Sequence, residues 1–543
     1  MRGLLNFASV VALGAALLAT GAPASAKQIP FDDATIAELQ SAMASGALTA
    51  EKLMALCLAR IEAFDRQGPK LHAVISLNAS AMDQAKALDA ERKAGKVRGP
   101  LHGIPVVLKD NYDTVEMPTT GGSVILDGSI PPRDAFMVQK LREAGAIILA
   151  KVNLGEFANG GQSSMGGQSL NPHDLTRTPA GSSGGTGVAI AAGYTPLGFG
   201  TDTGGSIRGP SNVNGIVGLK PTHGLLSRAG IIPLGLTLDT GGPMARNVAD
   251  VAVALGTMTG VDPRDDATKK SEGKFEKDYT KFLKADGLKG ARIGLARDFM
   301  GADPDVDWMI ESAVLAMKKA GATVVDVRYP KWFLTGAEGM VSIIVPIEFK
   351  VQINDYLKTL KPGYPKTLAE LVDRNQEYVG MGKDGSGPNP TRWRLLRDRD
   401  LTAAPMTDPS YVAMINYFLP MTRNLIENMM AKDKLDAFIY PTGARRAAQI
   451  AAQPAPAGGP AVPGATNMAN LSGFPDLIVP AGFTTDDLPV TVSFFGTAFT
   501  EPKLLALGYS FEQATHARRR PVHTPALEGG MVDVLEGKST AAK

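Results

Sequence analysis

A single cysteine, Cys57, is all the thiol chemistry this chain of 543 residues carries, so no internal disulfide can form. Cys57 sits in the apolar-periodic run Leu53 to Ile61 and reads as a small buried hydrophobe. Nucleotide and metal signatures are missing too. No G-x-x-x-x-G-K-[ST] loop occurs, Gly198-Phe199-Gly200 lacks the third glycine of a dinucleotide fingerprint, and there is no H-E-x-x-H. Neither a metal nor a cofactor is implied. Of the six histidines, none stands in a motif that reads as part of a catalytic triad. Aromatic residues make up only 6%, and all three tryptophans, Trp308, Trp332 and Trp393, fall in one stretch, where core packing is the expected role. With 56 basic against 54 acidic residues the net charge is +2, which gives no case for nucleic acid. Arg518-Arg519-Arg520 is a local basic cluster and reads as a solvated tail.

Long apolar runs are also scarce. The stretch Val10 to Ala19 follows Arg2 and precedes Pro23, and it is short of the roughly 20 residues that a spanning helix needs. With Ala24-Ser25-Ala26 after it, the pattern is that of a cleavable secretory signal. The expectation is a signal peptide over residues 1–26, a mature chain from Lys27, a periplasmic or secreted location and no stable membrane insertion. A lipid-anchored form would need a cysteine at the cleavage point.

What the chain has in quantity is glycine, 60 residues, and two glycine-hinged loops carry hydroxyls. One is Gly181-Ser182-Ser183-Gly184-Gly185; the other is Thr201-Asp202-Thr203-Gly204-Gly205-Ser206-Ile207-Arg208. Serine-based acyl transfer needs such loops, because the nucleophile requires room and the developing oxyanion requires donors already aimed at it. Between them, Thr186 to Ala192 reads as a helix roughly 10 Å long and Pro196 to Phe199 as a strand running back roughly 13 Å. If the two are antiparallel, Ser182 and Ser206 return to one rim. Composition alone would permit a flexible linker, but the apolar flanks Val188 to Ala192 and Ile216 to Leu219 suit a packed domain. Asp202 and Arg208 read as neighbours that brace the second loop.

A base is still required. In Leu101-His102-Gly103-Ile104-Pro105-Val106-Val107-Leu108-Lys109, an apolar strand over Ile104 to Leu108 delivers Lys109 to its C-terminal end, where sites on α/β folds form. A lysine of ordinary pKa is neutral only about once in 2,500 molecules at pH 7, and burial that lowers it by roughly three units makes it a usable base. Taken alone, Lys109 is an ordinary surface lysine; its weight comes from the two serines.

These residues resemble the amidase signature hydrolases, which use a Ser-cisSer-Lys triad. The resemblance runs from about Ile36 to Gln513 and is densest from Gly103 to Asp250. It includes Gly215-Ile216-Val217-Gly218-Leu219-Lys220-Pro221-Thr222, Gly230-Ile231-Ile232-Pro233 and Asp239-Thr240-Gly241-Gly242-Pro243-Met244-Ala245-Arg246. It implies Ser206 as nucleophile, Ser182 as the bridging serine after a cis bond from Gly181, and Lys109 as base. It also implies an oxyanion hole from the backbone N–H groups of Thr203, Gly204, Gly205 and Ser206. Gly209 and Asn212 depart from the commonest pattern, at positions that bear on pocket shape.

The implied product is an exported amidase that cleaves a small-molecule or peptide amide to acid and amine; esters or carbamates could react by the same route. Relatives of this kind include the transferase subunits that amidate glutamyl-tRNA, against which export argues. Gly181-Ser182-Ser183-Gly184-Gly185 also satisfies G-x-S-x-G, the nucleophile elbow of an α/β-hydrolase esterase, with Ser183 as its serine. An elbow needs a strand before it, and Asn171 to Pro179, with two prolines, reads as loop. A non-catalytic binding protein is the remaining alternative.

Periodicity predicts helices at Ile36 to Met43, Ala50 to Phe64, Ala81 to Ala94, Phe136 to Glu143, Val306 to Ala320 and Lys503 to Gln513. It predicts strands at Ala73 to Leu77, Ala146 to Lys151, Ala291 to Ala296, Thr323 to Val327, Ala437 to Tyr440, Leu477 to Val479 and Val490 to Phe495. Alternation of this kind argues for an α/β fold. The resemblance implies one large domain over 27–543, with a mixed twisted sheet flanked by helices. Its family-like core covers about 70–260 and 435–515, and a variable region at about 268–433 shapes the substrate pocket. Ala451 to Gly464, rich in alanine, proline and glycine, reads as a loop bordering the site.

Overall fold

The helix Pro304–Lys319 shows how local sequence sets the architecture. Asp303 caps it by accepting from the Asp305 N–H, Pro304 occupies its first turn, and Val306, Ile310, Ala313, Val314 and Met317 recur at helical spacing and are buried. Burial of each of the four larger side chains contributes about 1.5 to 3 kcal/mol. Helix Ile36–Ser45 starts the same way, with a reciprocal capping box between Thr35 and Glu38. In this computed structural model the described residues are 26–377, 390–450 and 463–535. The proposed signal peptide, residue 26 apart, and most of the loop at 451–464 lie outside them.

The apolar faces converge on an 11-stranded mixed sheet. Its order is Thr323–Val327, Arg292–Ala296, Ala437–Pro441, Pro489–Phe495, Asp476–Phe483, Val217–Lys220, Thr240–Ala245, Leu197–Asp202, Pro105–Lys109, Ile147–Val152 and Val74–Leu77. Pro105–Lys109 runs parallel to both of its neighbours, with Leu108 opposite Phe199. Leu197–Asp202 is antiparallel to Thr240–Ala245, with Asp202 opposite Thr240. The expected unit over residues 292–327 forms as two parallel strands around the helix at 304–319 and closes one edge of the sheet. The α/β class with a mixed sheet and flanking helices is therefore the observed fold.

One apolar cluster joins residues of most of the strands to the helices Ile36–Ser45, Gly184–Ala191, Pro304–Lys319 and Glu501–Thr515. A second gathers Phe299, Tyr329, Phe438 and Phe495 under the helices between residues 331 and 433. The helix Lys331–Lys358 is the one described helix long and apolar enough to cross a membrane. It instead buries Phe333, Ile344, Phe349, Ile353 and Leu357 in that second cluster.

Two expectations are corrected. Trp308 is 70% and Trp332 57% exposed; neither is core. Trp308 falls on the outer face of a helix whose inward positions are already taken, and at the start of the next long helix it is Phe333, not Trp332, that turns inward. The arginine cluster is no solvated tail: Arg520 pairs with Asp32 and Asp33, and Arg518 with Asp33.

Candidate active site

Lys109 is the last residue of its strand and is fully buried. The parallel register brings its side chain beside Thr201 at the matching end of Leu197–Asp202, so both strands deliver polar groups to one rim of the sheet. Lys109 Nζ donates to Ser182 Oγ at 2.7 Å and to Thr201 Oγ1 at 2.7 Å. Asn111 Nδ2 donates to the same threonine oxygen at 3.1 Å. Burial pushes the Lys109 amine down to about 7, against the pull of Asp202 and Asp239, which favour its charge. The nitrogen is thus available as a base near neutral pH.

Ser182 is buried and follows a cis peptide bond from Gly181. Position 181 has no room for a side chain, since a Cβ there would lie 1.9 Å from the Gly160 carbonyl oxygen. The Ser182 carbonyl accepts from Gly155 N–H at 2.9 Å. Ser206 is partly exposed at the mouth of a cleft of about 490 Å³, together with Thr203 and Gly204. The two loops are tied together where Ser183 N–H donates to the Ser206 carbonyl at 3.2 Å. The structure therefore joins Lys109 to Ser182 directly and places Ser206 on the adjoining strand of chain. Among the described residues no hydrogen bond links the hydroxyls of Ser182 and Ser206.

The second loop is braced as its charges suggest. Asp202 accepts from Arg208 Nη2 at 2.9 Å, Arg208 Nε at 3.1 Å, Gly205 N–H at 2.8 Å and Asn470 Nδ2 at 2.9 Å. Burial alone would raise the Asp202 carboxyl; the Arg208 charge outweighs it and holds the group below the usual carboxylate range. Arg208 also reaches Asp476 at 3.1 Å, and Asp476 accepts from Tyr440 Oη at 2.8 Å. One expected oxyanion donor is corrected here. The Gly205 N–H is spent on Asp202 because the turn at φ 111° folds it inward. Thr203, Gly204 and Ser206 remain as the candidates, with the Thr203 hydroxyl held by Asp239 at 2.5 Å.

Ser183 is buried and its Oγ donates to the Thr201 carbonyl at 3.2 Å. No strand leads into it; a helix, Gly184–Ala191, begins one residue later. The elbow geometry is absent. Three histidines are likewise committed: His102 to Leu88 O, His173 to Asn214 O, and His223 to Leu236 O. Burial takes His173 down to about 4, and burial with Arg228 takes His223 down to about 3. Cys57 is buried, and burial pushes its thiol up to about 12, so it is inert.

The cleft is walled by Val341, Val345 and Pro346 of the helix at 331–358 and by Leu395, Asp398 and Arg399 of the helix Pro390–Thr402. Arg399 stacks on Phe349 at 4.9 Å and donates to Asn159 at 3.2 Å. Gly209 and Asn212 do not line it; Asn212 instead accepts from Thr491 Oγ1 at 2.8 Å. Sequence reasoning missed Thr201, Asn111 and Asn470. Thr201 and Asn111 flank motif residues closely enough to have been found, whereas Asn470 is brought in from 268 positions away.

A buried amine bonded to a loop serine, beside a second serine open to a cleft on a large mixed α/β sheet, defines an amide-hydrolysing enzyme. The chain belongs to the Amidase family, whose model matches residues 52–505. It is 33% identical over 507 residues to a probable amidase of Arabidopsis thaliana, covering 90% of this chain and 92% of that one. It is 35% identical to a glutamyl-tRNA(Gln) amidotransferase subunit of a Cyanothece species, covering 89% and 98%. Among solved structures it is similar to the native peptide amidase from Stenotrophomonas maltophilia, with a TM-score of 0.82, 39% identity, and coverage of 91% of this chain and all of that one.

Proposed function

We propose that the protein is an exported amidase that cleaves a carboxylic amide through an acyl-serine on Ser206. Neutral Lys109 takes the Ser182 proton as Ser182 takes that of Ser206, and Ser206 Oγ attacks the amide carbonyl. The oxyanion rests on the N–H groups of Thr203, Gly204 and Ser206. As the C–N bond breaks, the proton returns through Ser182 to the departing amine. Water activated by the same relay then splits the acyl-serine to acid and free serine.

The observation that carries this reading is the 2.7 Å contact of a buried lysine, depressed to about 7, with Ser182. A peptide amide suits the cleft, whose apolar walls are interrupted by Asp398 and Arg399. The likeness to a peptide amidase supports the same substrate class. Export rests on the apolar stretch Val10 to Ala19 and the Ala24-Ser25-Ala26 site, and it weighs against a tRNA-dependent transamidase role despite the amidotransferase relatives.

A serine-reactive fluorophosphonate followed by mass spectrometry tests the nucleophile. Label is expected on Ser206, lost in Ser206→Ala and kept in Ser183→Ala. Label on Ser183 would overturn the assignment. Amino-terminal sequencing of the protein recovered from the periplasm should begin near Lys27.

A further inference from the structure

A second cavity, of about 520 Å³, shares no described lining residue with the cleft beside Ser206. Its walls carry Lys270 and Arg423 and the apolar groups Leu419, Phe474 and Phe499, and among the described residues no carboxylate lines it. Burial and the neighbouring charges of Arg423 and Arg228 press the Lys270 amine down, so two like charges face one space. A third cation stands at the rim, where Lys274 Nζ lies 4.6 Å from the Phe499 ring centroid. The nearby carboxylates are engaged elsewhere or absent from the walls. Asp265 is bound to Arg228 at 2.8 Å, and Glu427, one turn beyond Arg423, does not line the cavity. Asp265 and Glu427 offset these charges only from outside the cavity, and an anion entering between Lys270 and Arg423 would meet both cations at once.

The floor of this cavity is the helix Asn467–Ser472, through Asn470, Leu471 and Ser472. The same helix also holds the loop that carries Ser206. Asn470 donates to Asp202, Thr466 just before the helix accepts from Arg208 Nη1 at 2.6 Å, and Thr466 packs against Gly205. A ligand seated in the cavity therefore bears on the element that fixes the oxyanion loop.

We propose that this cavity is a second ligand site, for a small organic anion with an apolar body, and that its occupancy is transmitted through helix Asn467–Ser472 to the loop Thr203 to Ser206. Carboxylate and phosphate share the required chemistry. Benzoate and phenyl phosphate are the probes, titrated calorimetrically against the full chain before and after its catalytic cleft is blocked by the fluorophosphonate adduct.

The expected result is saturable binding of at least one probe, with one site per chain, unchanged by the adduct. Binding should be weakened about tenfold or more in Arg423→Gln and in Lys270→Gln, the loss of one charge-assisted bond. The probe that binds more tightly identifies the headgroup. The rate at which the fluorophosphonate labels the unblocked enzyme should change with probe concentration and saturate with the binding isotherm. Binding that vanishes on adduct formation, or that is as tight in both variants as in the unaltered chain, overturns the site. Binding with no change in labelling rate overturns the transmission. Failure of labelling itself would count against the Ser206 reading alone, because the calorimetric arm on unblocked enzyme does not use it.

Discussion

Lys109 Nζ is as close to Thr201 Oγ1 as to Ser182 Oγ, 2.7 Å in each case. A neutral amine has two N–H donors and one lone pair. If an N–H is held by Thr201, the lone pair is free to face Ser182 and take its proton, so in the proposed relay Thr201 positions the base. Thr201→Val removes that acceptor and leaves a buried N–H without a partner, at a cost of about 1 to 3 kcal/mol. We expect kcat to fall about 10- to 100-fold with KM little changed. The acceptor favours the charged amine more than the neutral one, so its loss should also move the midpoint of the pH profile downward. An unmoved midpoint with a raised KM would assign Thr201 to substrate binding instead.

The depressed Lys109 sets two pH dependences. For activity, the proposed base role of Lys109 requires a neutral amine, so kcat/KM should rise as pH passes about 7 and level off above it. For stability, the unfolded chain carries a lysine of ordinary pKa near 10.5, and the folded chain one near 7. Between those values the unfolded state binds more protons, so stability from this group rises with pH through that window and is lost as pH falls toward 7. The penalty is about 4 kcal/mol at pH 7 and about 5 kcal/mol well below it. Lys109→Met should therefore be inactive yet more resistant to urea at pH 7, by up to a few kcal/mol. The gain should shrink as pH is raised toward 10. A variant that is destabilised at pH 7 would show that the amine is charged and well paired in the fold.

Much of this site was legible because its pieces lie in glycine-marked loops at the ends of strongly patterned strands. The strand ending at Lys109 and the helix Phe136–Glu143 follow directly from local periodicity. What escaped was set by distance along the chain. Asn470, Thr466 and Asp476 reach the loop of Ser206 from far downstream, and no local pattern marks them. The pairing of Ala26–Pro30 with Met531–Leu535, and the capture of Arg520 by Asp32, join the described ends of the chain in the same way. Glycine richness suggested an oxyanion hole, but only the folded turn tells which N–H points outward. Gly205, whose donor is taken by Asp202, could not be told from Gly204 by composition.

Asp202 and Arg208 are both fully buried, which makes their pairing a point of vulnerability. Asp202→Asn leaves the guanidinium with Asp476 as its remaining carboxylate and removes the anchor of the Gly205 and Ile207 N–H groups. Breaking one side of such a buried pair costs about 3 to 5 kcal/mol. A drop of that order in urea stability is expected, together with a slowed fluorophosphonate labelling of Ser206. Unchanged stability would mean that the Asp476 pair alone holds Arg208.

Neighbouring glycines should respond differently to the same added methyl. Gly204 is exposed and a Cβ there meets nothing within 4 Å, so Gly204→Ala should fold normally and keep its backbone N–H in place. Gly205 has φ of +111°, a conformation that L side chains rarely adopt, and a Cβ there would lie 2.9 Å from Thr466 Oγ1. Gly205→Ala must therefore either push Thr466 and the helix behind it or rotate the turn. Either movement redirects the N–H groups of Thr203, Gly204 and Ser206, the proposed oxyanion donors beside the cleft. Loss of one such donor costs about 100- to 1,000-fold in kcat, and a loss of that size is expected for Gly205→Ala with Gly204→Ala much less affected. Equal activity of the two variants would place the oxyanion elsewhere in the cleft.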